Sequence, residues 1–346
     1  MMSQKLFNVA VVGATGAVGE QILKLLEARN FPIATLKLLS SARSAGTKIL
    51  FKGEEYTVEE AAPTSFEGID IALFSAGGDV SKALAPHAVA SGAVCIDNTN
   101  AFRMDPETPL VVPEVNIDKI SEHKGIIANP NCSTIQMVAA LKPLYDRFGI
   151  SRILVSTYQA VSGAGARAVD ELMRQTKEIV NGNEVKPDIL PVSSLPVKHQ
   201  IAFNAIPQID KFQDNGYTLE EMKMIRETKK IMGDESLEIS TTCVRIPVLY
   251  GHSESVYVEF KEDYDLQEVK ELLASAPGVV LQDDPAEQLY PLASDAAGQL
   301  EVFVGRVRRD LTHPRGLNLW IVSDNLLKGA AWNAVQIAEY IAIENK

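Results

Sequence analysis

The chain is poor in cysteine: only Cys95, Cys132 and Cys243 occur in 346 residues. An odd number, without metal-ligand spacing, argues against a disulfide framework and a cysteine-based metal site. Long apolar runs are missing as well, and none approaches the ~18 residues that a membrane-spanning helix needs. Met1 to Phe7 passes directly into an apolar strand pattern, without the basic, apolar and small-residue succession of a secretion signal. Cations are the scarcer charge. The chain has 33 Lys and Arg against 45 Asp and Glu, a net charge of −12. That disfavours general nucleic-acid binding, because counterion release needs clustered cations. No internal repeat or low-complexity tract occurs. The expectation is a cytoplasmic protein that binds neither nucleic acid nor membrane, holds no metal and keeps at least one thiol available for chemistry.

What is present is an ordinary globular composition, 46% hydrophobic and 23% charged, with length for about two domains at ~150 residues each. Val9 to Val12 is a continuous apolar run of the buried parallel-strand type, and a helical pattern follows from Ala17 to Arg29. Leu36–Leu39, Ile69–Phe74, Val94–Ile96, Leu110–Val112 and Ile126–Ala128 are further strand candidates, with helical sequence such as Val80–Ser91 between some of them. Strand-helix-strand alternation predicts a parallel sheet covered on both faces. After about residue 130 the pattern changes. A helix from Ser133 to Arg147 precedes a strand over Ile153–Tyr158, and longer alternating strands are expected over Glu238–Ile246, Ser255–Phe260 and Leu317–Val322. Helices at 218–231 and 265–274 separate some of these, and residues 181–199 read as a long irregular loop. This is an α+β domain with a mixed or antiparallel sheet. The tail from Asn325 to Ile343 reads as helix.

Gly13-Ala14-Thr15-Gly16-Ala17-Val18-Gly19 lies between a strand and a helix. There, glycines permit a tight turn and close approach of a pyrophosphate to helix N–H groups. The competing reading is a glycine turn without a ligand. Leu39-Ser40-Ser41-Ala42-Arg43-Ser44, after the second strand, contains no acid to hold a ribose 2′-hydroxyl. Arg43 and the serines suit a 2′-phosphate, hence NADP; otherwise Arg43 is a solvated loop cation.

Asn129-Pro130-Asn131-Cys132-Ser133-Thr134 precedes the helix pattern. Pro130 disfavours helix at residue 129, and Asn131 is a suitable N-cap, so Cys132 lies at the first turn. Free N–H groups and the helix dipole there favour a thiolate and an oxyanion. A buried structural cysteine is the alternative. Cys95 and Cys243 sit in apolar strand patterns and read as small core residues. A thiol nucleophile needs a proton partner. Of the five histidines, His252, after a strand pattern and beside Gly251, ranks ahead of His87, His123, His199 and His313.

The glycine turn, Pro130–Thr134, Ser156–Gly165, Cys243–Pro247, Gly251–Ser255 and Ser323–Ala331 occur together, in that order. As a set the chain resembles the bacterial aspartate-β-semialdehyde dehydrogenases, Gram-positive branch, from about residue 7 to 345. The resemblance implies an N-terminal Rossmann-type NADP-binding domain, residues 1–130 with 325–346. It also implies an α+β catalytic and dimerisation domain, residues 131–324, in a homodimer. The implied reaction makes L-aspartate 4-semialdehyde from L-aspartyl 4-phosphate with NADPH, on the way to lysine, methionine and threonine.

In that family's pattern, Cys132 forms a thioester, His252 is the general acid/base and Gln159 orients the acyl group. Arg245 pairs the substrate carboxylate and Glu220 its ammonium; Arg103 and Lys223 bind phosphate. Gly13, Thr15, Gly16, Ala17, Val18, Arg43, Ser44, Ser162, Gly163 and Asn325 match cofactor contacts. Without the resemblance, Glu220 and Lys223 read as a solvated i, i+3 helix pair. Pro191–His199 departs from the lysine-rich pattern expected there. Two rivals differ at identifiable residues. An N-acetyl-γ-glutamyl-phosphate reductase has no substrate ammonium for Glu220 to pair. A non-catalytic NADP sensor needs neither the Cys-His pair nor the phosphate-binding cations.

Overall fold

The computed structural model describes residues 5–344. The chain divides into two compact units, Met1–Asn131 with Ala330–Lys346, and Cys132–Gly329.

The first unit begins with β1 (Phe7–Val12), α1 (Ala17–Ala28) and β2 (Ile33–Ser40). A hairpin, β3 (Lys48–Phe51) and β4 (Glu54–Thr57), and the short β5 (Glu59–Glu60) follow. The unit continues with β6 (Ile71–Phe74), α2 (Gly78–Ala90), β7 (Val94–Asp97), α3 (Pro113–Asn116) and β8 (Ile126–Ala128). Six strands form one sheet in the order β5-β2-β1-β6-β7-β8. Every pair in it is parallel. The apolar runs Val9–Val12 and Ile71–Phe74 are buried throughout, as a sheet covered on both faces requires. Leu110–Val112 is not a regular strand; Leu110 makes a single bridge to Ala128. Pro109 and Pro113 bracket the run, and Pro113 instead starts α3.

The second unit contains α4 (Cys132–Phe148), β9 (Ile150–Gln159), α5 (Ala166–Val180), α6 (Leu219–Met232), β10 (Glu238–Arg245) and β11 (His252–Phe260). It is completed by α7 (Leu266–Ser275), β12 (Val279–Leu281), α8 (Ala293–Ala296), β13 (Val302–Arg309) and β14 (Gly316–Ser323). Its sheet is mixed, in the order β10-β9-β11-β14-β13-β12. β10/β9 and β12/β13 are parallel and the other pairs antiparallel. Along β11, His252, Glu254, Val256, Val258 and Phe260 point to one face and are buried. Ser255 and Tyr257 read to the other face, where Tyr158 packs on Trp320 with ring centroids 5.5 Å apart.

α5 carries two buried polar residues that hold the irregular segment after it. The Glu171 carboxylate accepts the backbone N–H groups of Ile189 and Leu190, and the Gln175 carbonyl accepts those of Ile201 and Ala202. The tail is helical later than expected: a π-turn over Leu327–Ala331 leads into α9 (Trp332–Glu344). In the first unit, Glu339 of α9 pairs with Arg29 at the end of α1, at 2.8 Å. Among the described residues, no helix is long and apolar enough to cross a membrane.

Candidate active site

Four strand ends meet on one face of the second unit's sheet. Arg245, last in β10, is opposite Gln159, last in β9; His252, first in β11, is opposite Ser323, last in β14. One row further in lie Cys243, Thr157, Glu254 and Ile321, also mutually opposite across four strands. α4 packs on this face, with Cys132 its first residue. Gly329 allows the chain to pass that cysteine, since a Cβ at 329 would lie 2.7 Å from the Cys132 Cβ.

Ala160 holds two of these side chains. Its N–H donates to Nδ1 of His252 at 3.0 Å, and its carbonyl accepts from Nη1 of Arg245 at 2.7 Å. His252 is fully buried and its Nε2 has no hydrogen-bond partner. Since Nδ1 accepts, the neutral ring carries its proton on Nε2. Burial, helped by the Arg245 cation, pushes the imidazole pKa down to about 3. A thiolate or oxyanion at Nε2 is the charge that would raise it. Burial also lowers the Arg245 pKa, opposed by the Glu220 carboxylate and the nearby Cys132 thiol. Arg245 is further fixed by Ile206, with which it exchanges two backbone hydrogen bonds of 2.9 Å. Gly163 covers both groups: a Cβ there would stand 3.0 Å from Arg245 Nη1 and 3.3 Å from His252 Nε2.

α6 presents Glu220 through its own N-terminus. Thr218 and Glu221 form a capping box, with Thr218 N–H donating to Glu221 at 2.7 Å and Glu221 N–H to the Thr218 hydroxyl at 3.3 Å. The other Glu221 oxygen accepts the N–H of Cys243 at 3.0 Å, which ties the helix to β10. Glu220 then accepts from the Gln159 amide at 3.1 Å and from Lys223 at 3.2 Å. The Gln159 amide also donates to Ser133 in α4. Lys223 pairs with Asp210 as well, at 3.0 Å. The i, i+3 pair therefore forms, with Glu220 buried and Lys223 half-buried rather than on a solvated face.

The first unit carries the glycine turn. Gly13 has φ +89°, and a Cβ there would sit 2.9 Å from the Ser75 carbonyl carbon. A Cβ at Gly19 would lie 2.1 Å from the Gly13 oxygen, so α1 packs against the turn only through glycine. Gly13, Thr15 and Gly16 open onto a cavity of about 930 Å³ whose rim includes Ser40, Ser41, Arg43 and Ser44. Thr15 and Ser40 share a hydrogen bond of 2.9 Å. Two acids, Glu60 and Asp79, line the cavity elsewhere. Its size, the bare backbone of the turn, the first-turn N–H groups at Ala17 and Val18 and the exposed guanidinium of Arg43 fit a phosphorylated dinucleotide.

The structure thus gathers Cys132, Gln159, Glu220, Lys223, Arg245 and His252 in the second unit. Ser162, Gly163 and Asn325 belong there too. The Asn325 amide exchanges hydrogen bonds with the Ser162 hydroxyl and accepts from Gly251 N–H at 3.0 Å. Arg103 belongs to the first unit, where its guanidinium donates to the carbonyls of Asn129 and Asn98 at 2.9 and 3.0 Å. Ala160, Ser133 and Asp210 were not anticipated as site residues. Ala160 acts through its backbone, and the other two need tertiary contacts that no local pattern announces.

Residues 8–123 match the family model of the semialdehyde dehydrogenase NAD binding domain, and residues 141–328 that of the semialdehyde dehydrogenase dimerisation domain. Aspartate-semialdehyde dehydrogenase of Bacillus subtilis is 66% identical over 333 residues, 96% of each chain. Among solved structures, aspartate semialdehyde dehydrogenase II of Vibrio cholerae, complexed with ASA, is 50% identical. It superposes with a TM-score of 0.92, covering 97% of this chain and 98% of its own. The Candida albicans enzyme with NADP is 25% identical, with a TM-score of 0.76 over 99% of both chains. An all-parallel nucleotide-type sheet, a cysteine opening a helix over buried arginine and histidine, and identity running the length of both domains lead to one assignment: the chain belongs to the aspartate-semialdehyde dehydrogenase family.

Proposed function

We propose that Cys132 is the nucleophile in the reversible, NADPH-dependent reductive dephosphorylation of L-aspartyl 4-phosphate to L-aspartate 4-semialdehyde, a step toward lysine, methionine and threonine. The observation that carries this reading is the placement of Cys132 at the start of α4, beside the buried Arg245 guanidinium, with His252 held by Ala160 in the same row of strand ends.

The Cys132 thiolate adds to the acyl carbon. The C–S bond forms, the C–O bond to phosphate breaks, and phosphate departs with the electron pair. The cavity at the glycine turn would hold NADPH, with Arg43 and Ser44 at its 2′-phosphate, and the chemistry it would supply there is hydride for reduction of the thioester. His252 donates a hydrogen bond from Nε2–H to the tetrahedral oxygen, whose electron pair then closes the aldehyde as the C–S bond breaks and the Cys132 thiolate leaves with its electron pair. Gln159, anchored to Glu220 and Ser133, orients the acyl group. Arg245 presents a rigid cation to the substrate carboxylate, and Glu220 an anion to its ammonium. Arg103 and Lys223 are the cations assigned to phosphate. A cytoplasmic homodimer completes the reading, supported by the match of residues 141–328 to a dimerisation domain.

The test is phosphate-dependent reduction of NADP with aspartate semialdehyde, against N-acetylglutamate semialdehyde. Turnover with the first alone is expected. Equal or better use of the acetylated compound would remove the ammonium contact and with it the assignment of Glu220.

A further inference from the structure

The side chain of Asn129 has no task in the reaction above, yet it is fully buried. Asn129 follows the last residue of β8 and Asn98 the last residue of β7, adjacent parallel strands in which Ala128 stands opposite Asp97. Both asparagines therefore leave the sheet at its carboxyl edge. On that edge β1 delivers the glycine turn, and open parallel sheets place their ligands there.

Across the edge, the Asn129 amide donates to Asn98 Oδ1 at 2.6 Å and to the Ala330 carbonyl at 3.2 Å. Its own Oδ1 accepts from Asn333, the second residue of α9, at 2.6 Å. Asn333 is fully buried as well and donates to the Val111 carbonyl at 2.9 Å. Both amide hydrogens of Asn129 and its carbonyl oxygen are thus engaged, with the loop after β7 on one side and the start of α9 on the other.

Arg103 depends on this junction. Its Nε donates to the Asn129 carbonyl at 2.9 Å and its Nη2 to the Asn98 carbonyl at 3.0 Å. The two carbonyls that hold the guanidinium belong to the two residues whose side chains are joined. Such a pair fixes the plane of the fork. Because carbonyls are neutral, it does so without cancelling the charge. A cation held in this way loses less freedom when it meets an anion.

We propose that Asn129 is a positioning residue for phosphate: by tying the ends of β7 and β8 to each other and to α9, it holds the two carbonyls that aim Arg103. Alanine at 129 keeps the backbone carbonyl. It strips buried partners from Asn98, Ala330 and Asn333, so the two carbonyls are no longer held at one spacing.

The proposal rests on the assignment of Arg103 to phosphate, and the experiment separates the two. Asn129→Ala, Asn98→Ala, Arg103→Ala and the double variant Asn129→Ala with Arg103→Ala are compared with wild type in the phosphate-dependent direction. The readouts are melting temperature, kcat and the KM values for inorganic phosphate, aspartate semialdehyde and NADP. Arg103→Ala is expected to raise the phosphate KM by roughly 10- to 150-fold. Asn129→Ala is expected to raise it by roughly 5- to 20-fold, with the other two KM values within about threefold of wild type. The double variant should exceed Arg103→Ala by no more than about threefold, because no guanidinium remains to be aimed. Asn98→Ala keeps the carbonyl and removes one of the side-chain bonds. It should give a smaller rise with the same selectivity for phosphate, and it carries the test if Asn129→Ala does not fold.

A wild-type phosphate KM in Asn129→Ala, or in Asn98→Ala where the former does not fold, would overturn the proposal. So would equal rises in all three KM values, or losses that multiply in full in the double variant. An unchanged phosphate KM in Arg103→Ala is the different result, which removes Arg103 from phosphate binding and the proposal with it.

Discussion

The N–H of Ala160 donates to Nδ1 of His252 at 3.0 Å, which leaves Nε2 as the only nitrogen of that ring free for chemistry. The same bond makes the ring hard to protonate, because a protonated Nδ1 would turn its hydrogen against the Ala160 N–H. With the pKa pushed down to about 3 from an ordinary 6.5, the unfolded chain binds this proton before the native one does. Stability contributed by the neutral ring is present above pH 6.5 and is lost as pH falls toward 3, by about 1.4 kcal/mol per pH unit. His252→Asn, whose Oδ1 can accept from Ala160, should unfold in urea with a weaker acid dependence than wild type. Its kcat should fall by roughly 10²- to 10⁴-fold at neutral pH. An unchanged acid limb would mean that other groups govern unfolding there.

Cys132→Ser should fold and bind NADP normally but lose nearly all turnover, because serine does not ionise at neutral pH. The other two thiols are poor nucleophiles for a visible reason. Burial, reinforced by Asp97, pushes Cys95 up to about 12. Cys243 is likewise raised by burial and by Glu220, and it rests on the Met224 sulfur at 3.7 Å. Iodoacetamide should therefore label one equivalent per chain, located by peptide mass at Cys132. Fast labelling at Cys95 or Cys243 would contradict their burial.

Arg43 stands on the rim of the nucleotide cavity after β2, with Ser41 and Ser44 beside it. Losing a charge-assisted phosphate contact costs about 1.5–3 kcal/mol, or roughly 10- to 150-fold. Arg43→Ala should raise KM for NADPH by that factor and leave KM for NADH nearly unchanged. Steady-state kinetics with both cofactors decide it, and an equal loss with both would remove Arg43 from 2′-phosphate recognition.

Gly163 is expected to be intolerant even of alanine. Its added methyl would press on Arg245 Nη1 at 3.0 Å and on His252 Nε2 at 3.3 Å, two members of the working row. We expect Gly163→Ala to leave the circular dichroism spectrum intact while kcat drops on the order of 10- to 100-fold. Arg245→Lys tests the other side of that contact. It keeps the charge but shortens the fork that reaches the Ala160 carbonyl, so kcat should fall as well as KM rise.

Much of this architecture is legible from short-range pattern. The parallel strands announce themselves as buried apolar runs, and Pro130-Asn131 marks the start of α4, so Cys132 could be placed at a helix N-terminus before any contact was known. What escaped depends on register or on mixed composition. Leu110–Val112 has strand residues but too little room between two prolines. β13 was hidden by its arginines and by Gly305, where the pairing with β14 shifts. α5 was missed although Leu172 and Ala168 mark its buried side, because charged residues fill the rest of it. Ala160 grips His252 and Arg245 through its backbone, and Gln136 of α4 reaches the His252 carbonyl and the Ser323 hydroxyl across a helix-sheet boundary. Neither relationship has a local signature.

The alternation along β11 has a consequence for how such a protein can change. His252 and Glu254 face α4, while Ser255 and Tyr257 face the side where Tyr158 and Trp320 pack. Adjacent residues of one strand thus answer to different demands, the site and core at His252, Glu254, Val256 and Val258, the more exposed face at Ser255 and Tyr257. Substitutions at Ser255 and Tyr257 can remodel what this face meets without touching the reacting groups. A one-residue insertion in β11 would do the opposite, carrying the imidazole out to the surface and a serine into its place.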